Sequence, residues 1–194
     1  MTAADPSGPI LGVRVKSGWA SAVLVGCPAG EPVVLDSRRL ELADPATPAT
    51  TQPYHAARGT AQLDQAVIAT LIEQIERSAA HSIGEALAAY RAAGLTPRGA
   101  AVIGTSDRDP ETITNPHIRV HALEGRLFRR VVTEALTGAG IPTTYLLEQD
   151  LGAGAVPSNP GQGPWRSEQK SAARGACLLL SSGSAATGSR APRR

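Results

Sequence analysis

Three polar side chains stand in helical register near the middle of the chain. His117, His121 and Glu124 fall at i, i+4 and i+7, a spacing that puts them on one face of a helix. An i, i+4 histidine pair is a geometry that zinc uses, with neutral imidazole nitrogens as ligands. No third strong ligand stands beside them in the sequence, and the metalloprotease pattern with Glu between the histidines is absent. His117 also falls in the first helical turn, next to free N–H groups. The pattern therefore favours a polar patch of His121, Glu124 and Arg129, structural or at the mouth of a pocket. His55, in Gln52-Pro53-Tyr54-His55, could face the same edge, but the sequence does not place it.

Trp165-Arg166 is the most unusual pairing in a chain with two Trp, three Tyr and one Phe. It suits stacking on a base or a partner. The plainer and preferred reading has Trp165 plugging the core and Arg166 pairing with Glu168. The glycine pairs Gly152/Gly154 and Gly161/Gly163 fail as dinucleotide fingerprints, because Pro157 and Pro164 intervene before any helix. No phosphate-loop, Gly-x-Ser-x-Gly or cysteine-nucleophile motif is present, and Ser106 and Ser171 have no triad context. Five acids follow strand or helix signals. Asp107 and Asp109 suit a turn. Glu148 and Asp150 suit a wet strand end, and Glu168 complements a helix N-terminus.

The elements that must position these residues alternate in period. Ile10 to Lys16, Trp19 to Cys27 and Pro32 to Leu42 read as strands divided by Ser17-Gly18 and Pro28-Ala29-Gly30 turns. Turns that short favour an antiparallel meander. The polar alternation at Ser37-Arg38-Arg39 suits an edge strand. From Gln62 the apolar residues recur at helical spacing through Leu63, Val67, Leu71, Ile75, Ala79, Ile83, Leu87 and Tyr90, to about Ala93. Ser82 and Gly84 are candidate kink points. Ala100 to Thr105 is a short apolar strand of the kind buried on both faces. Asn115-Pro116 opens a helix reaching about Leu136. Pro142 to Glu148 is a last strand, and Glu168 to Leu180 a last helix with Ala172, Ala173, Ala176 and Leu179 on its packing face. The order is strand-strand-strand-helix-strand-helix-strand-helix. It implies a single α/β domain over residues 10–181, a flexible N-terminus over 1–9 and a disordered basic tail over 182–194.

With 194 residues, 42% hydrophobic and 19% charged, the chain can bury a full core, built from small aliphatics because aromatics are 3%. The net charge is +2, and without Arg190, Arg193 and Arg194 it is −1. The body carries no basic run of the kind that binds phosphates by charge alone. No apolar stretch suits a membrane span. Cys27 and Cys177 match no metal spacing and suit a reducing, cytoplasmic setting. The N-terminus has neither a basic nor an apolar region of an export signal.

This element order resembles the ribonuclease H-like fold, a five-stranded mixed sheet whose first three strands are antiparallel and last two parallel. The resemblance covers Ile10 to about Leu180. The run His121-Ala-Leu-Glu124-Gly125-Arg-Leu127-Phe128-Arg129, with Gly163-Pro164-Trp165-Arg166 and Lys170, resembles the signature of a bacterial family of unknown function with this fold.

The resemblance to nucleases and resolvases implies carboxylates that hold two Mg²⁺ or Mn²⁺ ions for phosphodiester cleavage. Asp107 and Asp109 fall where the fourth strand ends. Glu148 and Asp150 follow the fifth strand, and Glu168 opens the last helix. These places share the carboxyl edge of the parallel half-sheet. The implied metal ligands are Asp107, Asp150 and Glu168, with Asp109 and Glu148 as further catalytic candidates. The first strand lacks its acid, because Val13-Arg14-Val15-Lys16 puts cations there. Arg14 or Lys16 would repel a metal ion and could hold a phosphate instead. The expected function is a nucleic-acid-associated, nuclease- or resolvase-like protein with an altered or lost two-metal site. His121, Glu124, Arg129, Trp165 and Arg166 join Arg14 and Lys16 as binding candidates. The alternative is a non-catalytic domain that binds a protein or small ligand, alone or as a homo-oligomer.

Overall fold

Tight turns fold the first three strands back on one another in a computed structural model that describes residues 8–56, 60–153, 156–158 and 165–187. Gly18, at φ +79°, closes the turn between β1 (Ile10–Lys16) and β2 (Trp19–Gly26), a left-handed conformation that glycine adopts without strain. β2 pairs antiparallel with β3 (Val33–Glu41), with a register shift between Leu24 and Val25. β1 pairs parallel with β4 (Gly99–Gly104), which pairs parallel with β5 (Thr143–Leu147). The sheet order is β3-β2-β1-β4-β5, so β1 lies at its centre and β3 forms an edge, as its polar alternation led us to expect.

Side chains alternate across β1. Leu11, Val13 and Val15 face a core shared with α1 (Gln65–Ala92) and α2 (Pro116–Gly138). Ile10 faces the opposite layer with Val23 and Val25, against Ala172, Ala173 and Ala176 of α3 (Ser167–Thr187). Small residues let α3 lie very close to the sheet. A Cβ on Gly12 would stand 1.8 Å from the Ala172 carbonyl oxygen, and one on Gly175 would stand 2.7 Å from Ile103.

The α1 helix starts later than its hydrophobic stripe suggests. The Asp64 carboxylate accepts from the Ala66 and Val67 N–H groups at 2.9 and 3.2 Å, which fixes it as the N-cap. Leu63 therefore precedes the helix and is 82% exposed, and the buried stripe begins at Ile68. Ser82 and Gly84 do not interrupt it, and at 28 residues it spans about 42 Å. Its last buried residue, Tyr90, donates its phenol to Asp36 Oδ2 at 3.0 Å beneath the Arg38 guanidinium. Burial, with Asp36 beside it, pushes the Tyr90 phenol far above its ordinary range. Tyr90→Phe is expected to lose about 1 kcal/mol of stability, the worth of one hydrogen bond, read from the urea midpoint. An unchanged midpoint would show that the bond adds nothing.

The helix α3 runs on past Leu180 to Thr187. Residues 1–7 and 188–194, where most of the flexible N-terminus and basic tail are expected, lie outside the described residues, as do Gly154, Gly161, Gly163 and Pro164. No described helix is long and apolar enough to cross a membrane.

Candidate functional site

The parallel pairing of β1, β4 and β5 brings the carboxyl ends of these strands to one edge, and α3 begins beside it. Arg14, opposite Ile103 in the register, projects to the α3 side of the sheet. It is 3% exposed. Its Nε donates to Glu148 Oε1 at 3.0 Å and its Nη2 to Oε2 at 2.6 Å. Nη1 donates to the Val15 carbonyl. Glu148 stands in a 3-10 turn, Glu148–Leu151, directly after β5. It accepts a third bond from Ser171 Oγ, on the first turns of α3, at 2.7 Å. One forked ion pair thus ties the central strand, the end of the last strand and the last helix together. The Arg14 guanidinium, helped by the Ser171 hydroxyl and by Lys16, holds the Glu148 carboxyl below the usual carboxylate range.

Three of the other acids at this edge, Glu168, Asp107 and Asp109, also face cations, more loosely. Lys16 Nζ is 3.8 Å from Glu168 Oε1. Arg129 reaches Asp107 at 3.9 Å, and Arg126 reaches Asp109 at 3.5 Å. Asp109 caps the 3-10 turn Pro110–Thr112 by accepting from the Glu111 N–H. The backbone N–H of Glu168 and the hydroxyl of Ser167 hold the Glu168 carboxyl low as well. Asp150 is exposed. Arg129 lies over the Tyr145 ring at 4.8 Å, and both side chains donate to the Ser106 carbonyl. Between these groups is a cleft of about 190 Å³ lined by Arg14, Lys16, Gly104, Thr105, His121 and Arg129.

The indole of Trp165 packs half-buried against the apolar cluster between the sheet and α3. Arg166 is exposed and its backbone N–H donates to Gln169 Oε1. The salt bridge to Glu168 comes from Lys16 rather than from Arg166.

Glu124 turns away from Arg129. It is fully buried, and its Oε1 lies 2.7 Å from His55 Nδ1 while its Oε2 lies 3.4 Å from His121 Nδ1. His117 and His121 approach each other through Nε2 at 3.2 Å. The loop that carries His55 is held by a bridge to Ala61 and by a bond from the Gln62 N–H to the Tyr54 carbonyl. The expected polar patch therefore gathers around Glu124 and His55, and Arg129 shares only the cleft with His121.

No protein-family model and no curated protein matches the sequence. Among solved structures, T. thermophilus RuvC in complex with a Holliday junction substrate superposes with a TM-score of 0.55 at 14% identity, covering 96% of this chain and 99% of that one. The fold is ribonuclease H-like. A second Thermus thermophilus RuvC structure gives a TM-score of 0.49 at 15% identity over 93% of this chain and 96% of its own. The Aquifex aeolicus member of the Ppx/GppA family gives 0.36 at 10% identity over 73% of this chain and 36% of its own.

Within this ribonuclease H-like sheet, the first-strand position where an acid is implied holds the guanidinium of Arg14. Ser171, without a motif of its own, is the third member of the Arg14–Glu148 group. Tyr145, the platform for Arg129, likewise carries no motif. Neither could be found from spacing, because Arg14 and Glu148 meet across 134 residues of chain.

Proposed function

We propose that this chain binds the phosphates of nucleic acid at the carboxyl edge of β1 and β4, and that its two-metal site is lost. The observation that carries this reading is the forked Arg14–Glu148 pair at the centre of that edge. The donor set does not fit a pair of Mg²⁺ or Mn²⁺ ions. Such ions need several carboxylate oxygens free of competing cations. Here Glu148 is saturated by Arg14 and Ser171, and Asp107, Asp109 and Glu168 each face an arginine or lysine.

The looser pairs favour binding. An ion pair near 4 Å at the surface contributes at most about 1 kcal/mol, so Lys16, whose side chain is 41% exposed, can exchange Glu168 for a phosphate oxygen at small loss. Arg14 stays fixed in its neutral pair with Glu148, and Lys16 and Arg129 carry the positive charge of the cleft. The RuvC relative solved with a Holliday junction substrate makes a four-way DNA junction the natural probe.

The test is fluorescence anisotropy with a labelled four-way junction and a duplex of equal length, over a salt series. The expected result is salt-sensitive binding, with Lys16→Glu weakening it and lowering the slope of log affinity against log salt by about 1. Adding Mn²⁺ is expected to produce no cleavage. Two results would overturn the reading: no binding to either DNA at low salt, or Mn²⁺-dependent cleavage that disappears in Glu148→Gln.

A further inference from the structure

We infer that His55, His117 and His121 form a binding site for one zinc-class divalent ion, with Glu124 as the buried carboxylate that orients its ligands. This goes beyond phosphate binding and does not depend on it, although His121 also lines the cleft. Among the described residues, these three histidines are the one group of three or more His, Cys, Asp or Glu side chains placed to share an ion, with one ring nitrogen each within 4.8 Å of the others.

The geometry suits the chemistry. The Nε2 atoms of His117 and His121 are 3.2 Å apart. Two nitrogens bound at about 2.0–2.1 Å to a tetrahedral zinc ion stand about 3.3 Å apart. The ring centroids lie 4.6 to 5.8 Å from one another. His55 supplies the third ligand that the sequence around His117 lacks, from the loop between β3 and α1.

Glu124 is the independent observation. It is 0% exposed, its ion partners are His55 and His121, and its Oε2 accepts no hydrogen bond. By accepting from Nδ1 of His55, it fixes the tautomer that presents Nε2 as a lone pair. It faces Nδ1 of His121 in the same sense. A carboxylate behind a metal-bound imidazole is the usual orienting partner, and it raises ligand basicity.

A buried carboxylate needs compensating positive charge. A divalent ion supplies the charge at the point where the lone pairs converge. Three neutral imidazoles with no thiolate select Zn²⁺, Co²⁺, Ni²⁺ or Cu²⁺ over the hard ions Mg²⁺ and Mn²⁺. Three protein ligands leave a fourth position, and because His117 and His121 are exposed it opens to solvent.

The full chain, stripped with EDTA, is titrated with Zn²⁺ by calorimetry and with Co²⁺ by visible absorption. The expected result is one ion per chain and the intense visible bands of tetrahedral Co²⁺, with no heat from Mg²⁺. Glu124→Gln is expected to weaken Zn²⁺ by about 10–100-fold. His117→Ala, a change at an exposed position that leaves the core intact, is expected to abolish the Co²⁺ bands. His81→Ala, on the surface of α1, is the control and should bind as wild type. The site is overturned if wild type shows no saturable Zn²⁺ binding. It is equally overturned if folded His117→Ala and His121→Ala chains, checked by circular dichroism, bind Zn²⁺ as tightly as wild type.

Discussion

Glu148→Ala is expected to destabilise the chain by about 3 kcal/mol, more than Arg14→Met does, although the two substitutions break the same ion pair. The asymmetry comes from burial. The Arg14 side chain is 4% exposed and that of Glu148 is 35% exposed. Without Glu148, a guanidinium stays inside the protein with two of its donors unmatched. Without Arg14, the carboxylate turns to water and keeps its bond from Ser171, while methionine fills the space of the arginine stem. In a chain of this size, about 3 kcal/mol lowers the melting temperature by about 6–12 °C. The pH dependence has a definite sign. The folded state holds Glu148 below its ordinary range, so this stabilisation is fully present above about pH 4.3, the unfolded value. It is lost as pH falls through the folded one. The gap between wild type and Glu148→Gln should hold at neutral pH and close in strong acid. Urea melts at the two extremes check this. Equal losses from Glu148→Ala and Arg14→Met, or a gap that survives in acid, would refute the account.

The second large effect concerns a single methyl group. Gly12→Ala is expected to cost about 3 kcal/mol or more, at the upper end for overpacking. Its Cβ would stand 1.8 Å from the Ala172 carbonyl oxygen, 2.6 Å from its carbon and 3.3 Å from its Cα. These are helix backbone atoms, which no rotamer change can move. The alanine must push the first turns of α3 off the sheet or bend the central strand. Either movement strains the bond between Ser171 and Glu148, because Ser171 is the residue before Ala172. Gly84→Ala is the control, since a Cβ there meets nothing within 4 Å, and helix propensity favours it by about 1 kcal/mol. Thermal melts of the two variants should therefore move in opposite directions. A Gly12→Ala chain that melts with wild type would show that α3 docks more loosely than described.

The order of elements was legible because period and punctuation agreed. Ser17-Gly18 marked a hairpin, Asn115-Pro116 a helix start, and Ala100 to Thr105 a strand covered on both faces, observed over Gly99–Gly104. The start of α1 was misread by hydrophobicity alone. Leu63 fits the stripe, but the Asp64 carboxylate takes the first free N–H groups and leaves Leu63 outside. The last helix was cut short at Leu180 because the residues from Ser182 onward read as a loose basic tail, yet the helix continues to Thr187. At the candidate site, the strand order implied by the ribonuclease H-like resemblance put the acids and cations near one sheet edge. It could not show which acid meets which cation, because those partners are set by the crossing of strands distant in sequence. The same holds for the histidines. His117 and His121 declare themselves by their i, i+4 spacing, whereas His55 joins them only through the path of a loop.

The central place of β1 has a consequence for how the molecule is made. β1 leaves the ribosome before both of its neighbours: β2 follows directly and pairs on one side, but the other side waits for β4 at Gly99–Gly104. Until then the nascent meander carries an open edge of β1, and such edges recruit other chains. Closing that edge joins residues far apart in sequence, a slow step for a folding chain. The 28-residue α1 lies between the two events. An amphipathic helix that forms early packs over β3, on the side of the sheet where α2 later covers β1, while the opposite side still lacks α3. Synthesis speed between β3 and β4 therefore bears directly on the yield of native protein.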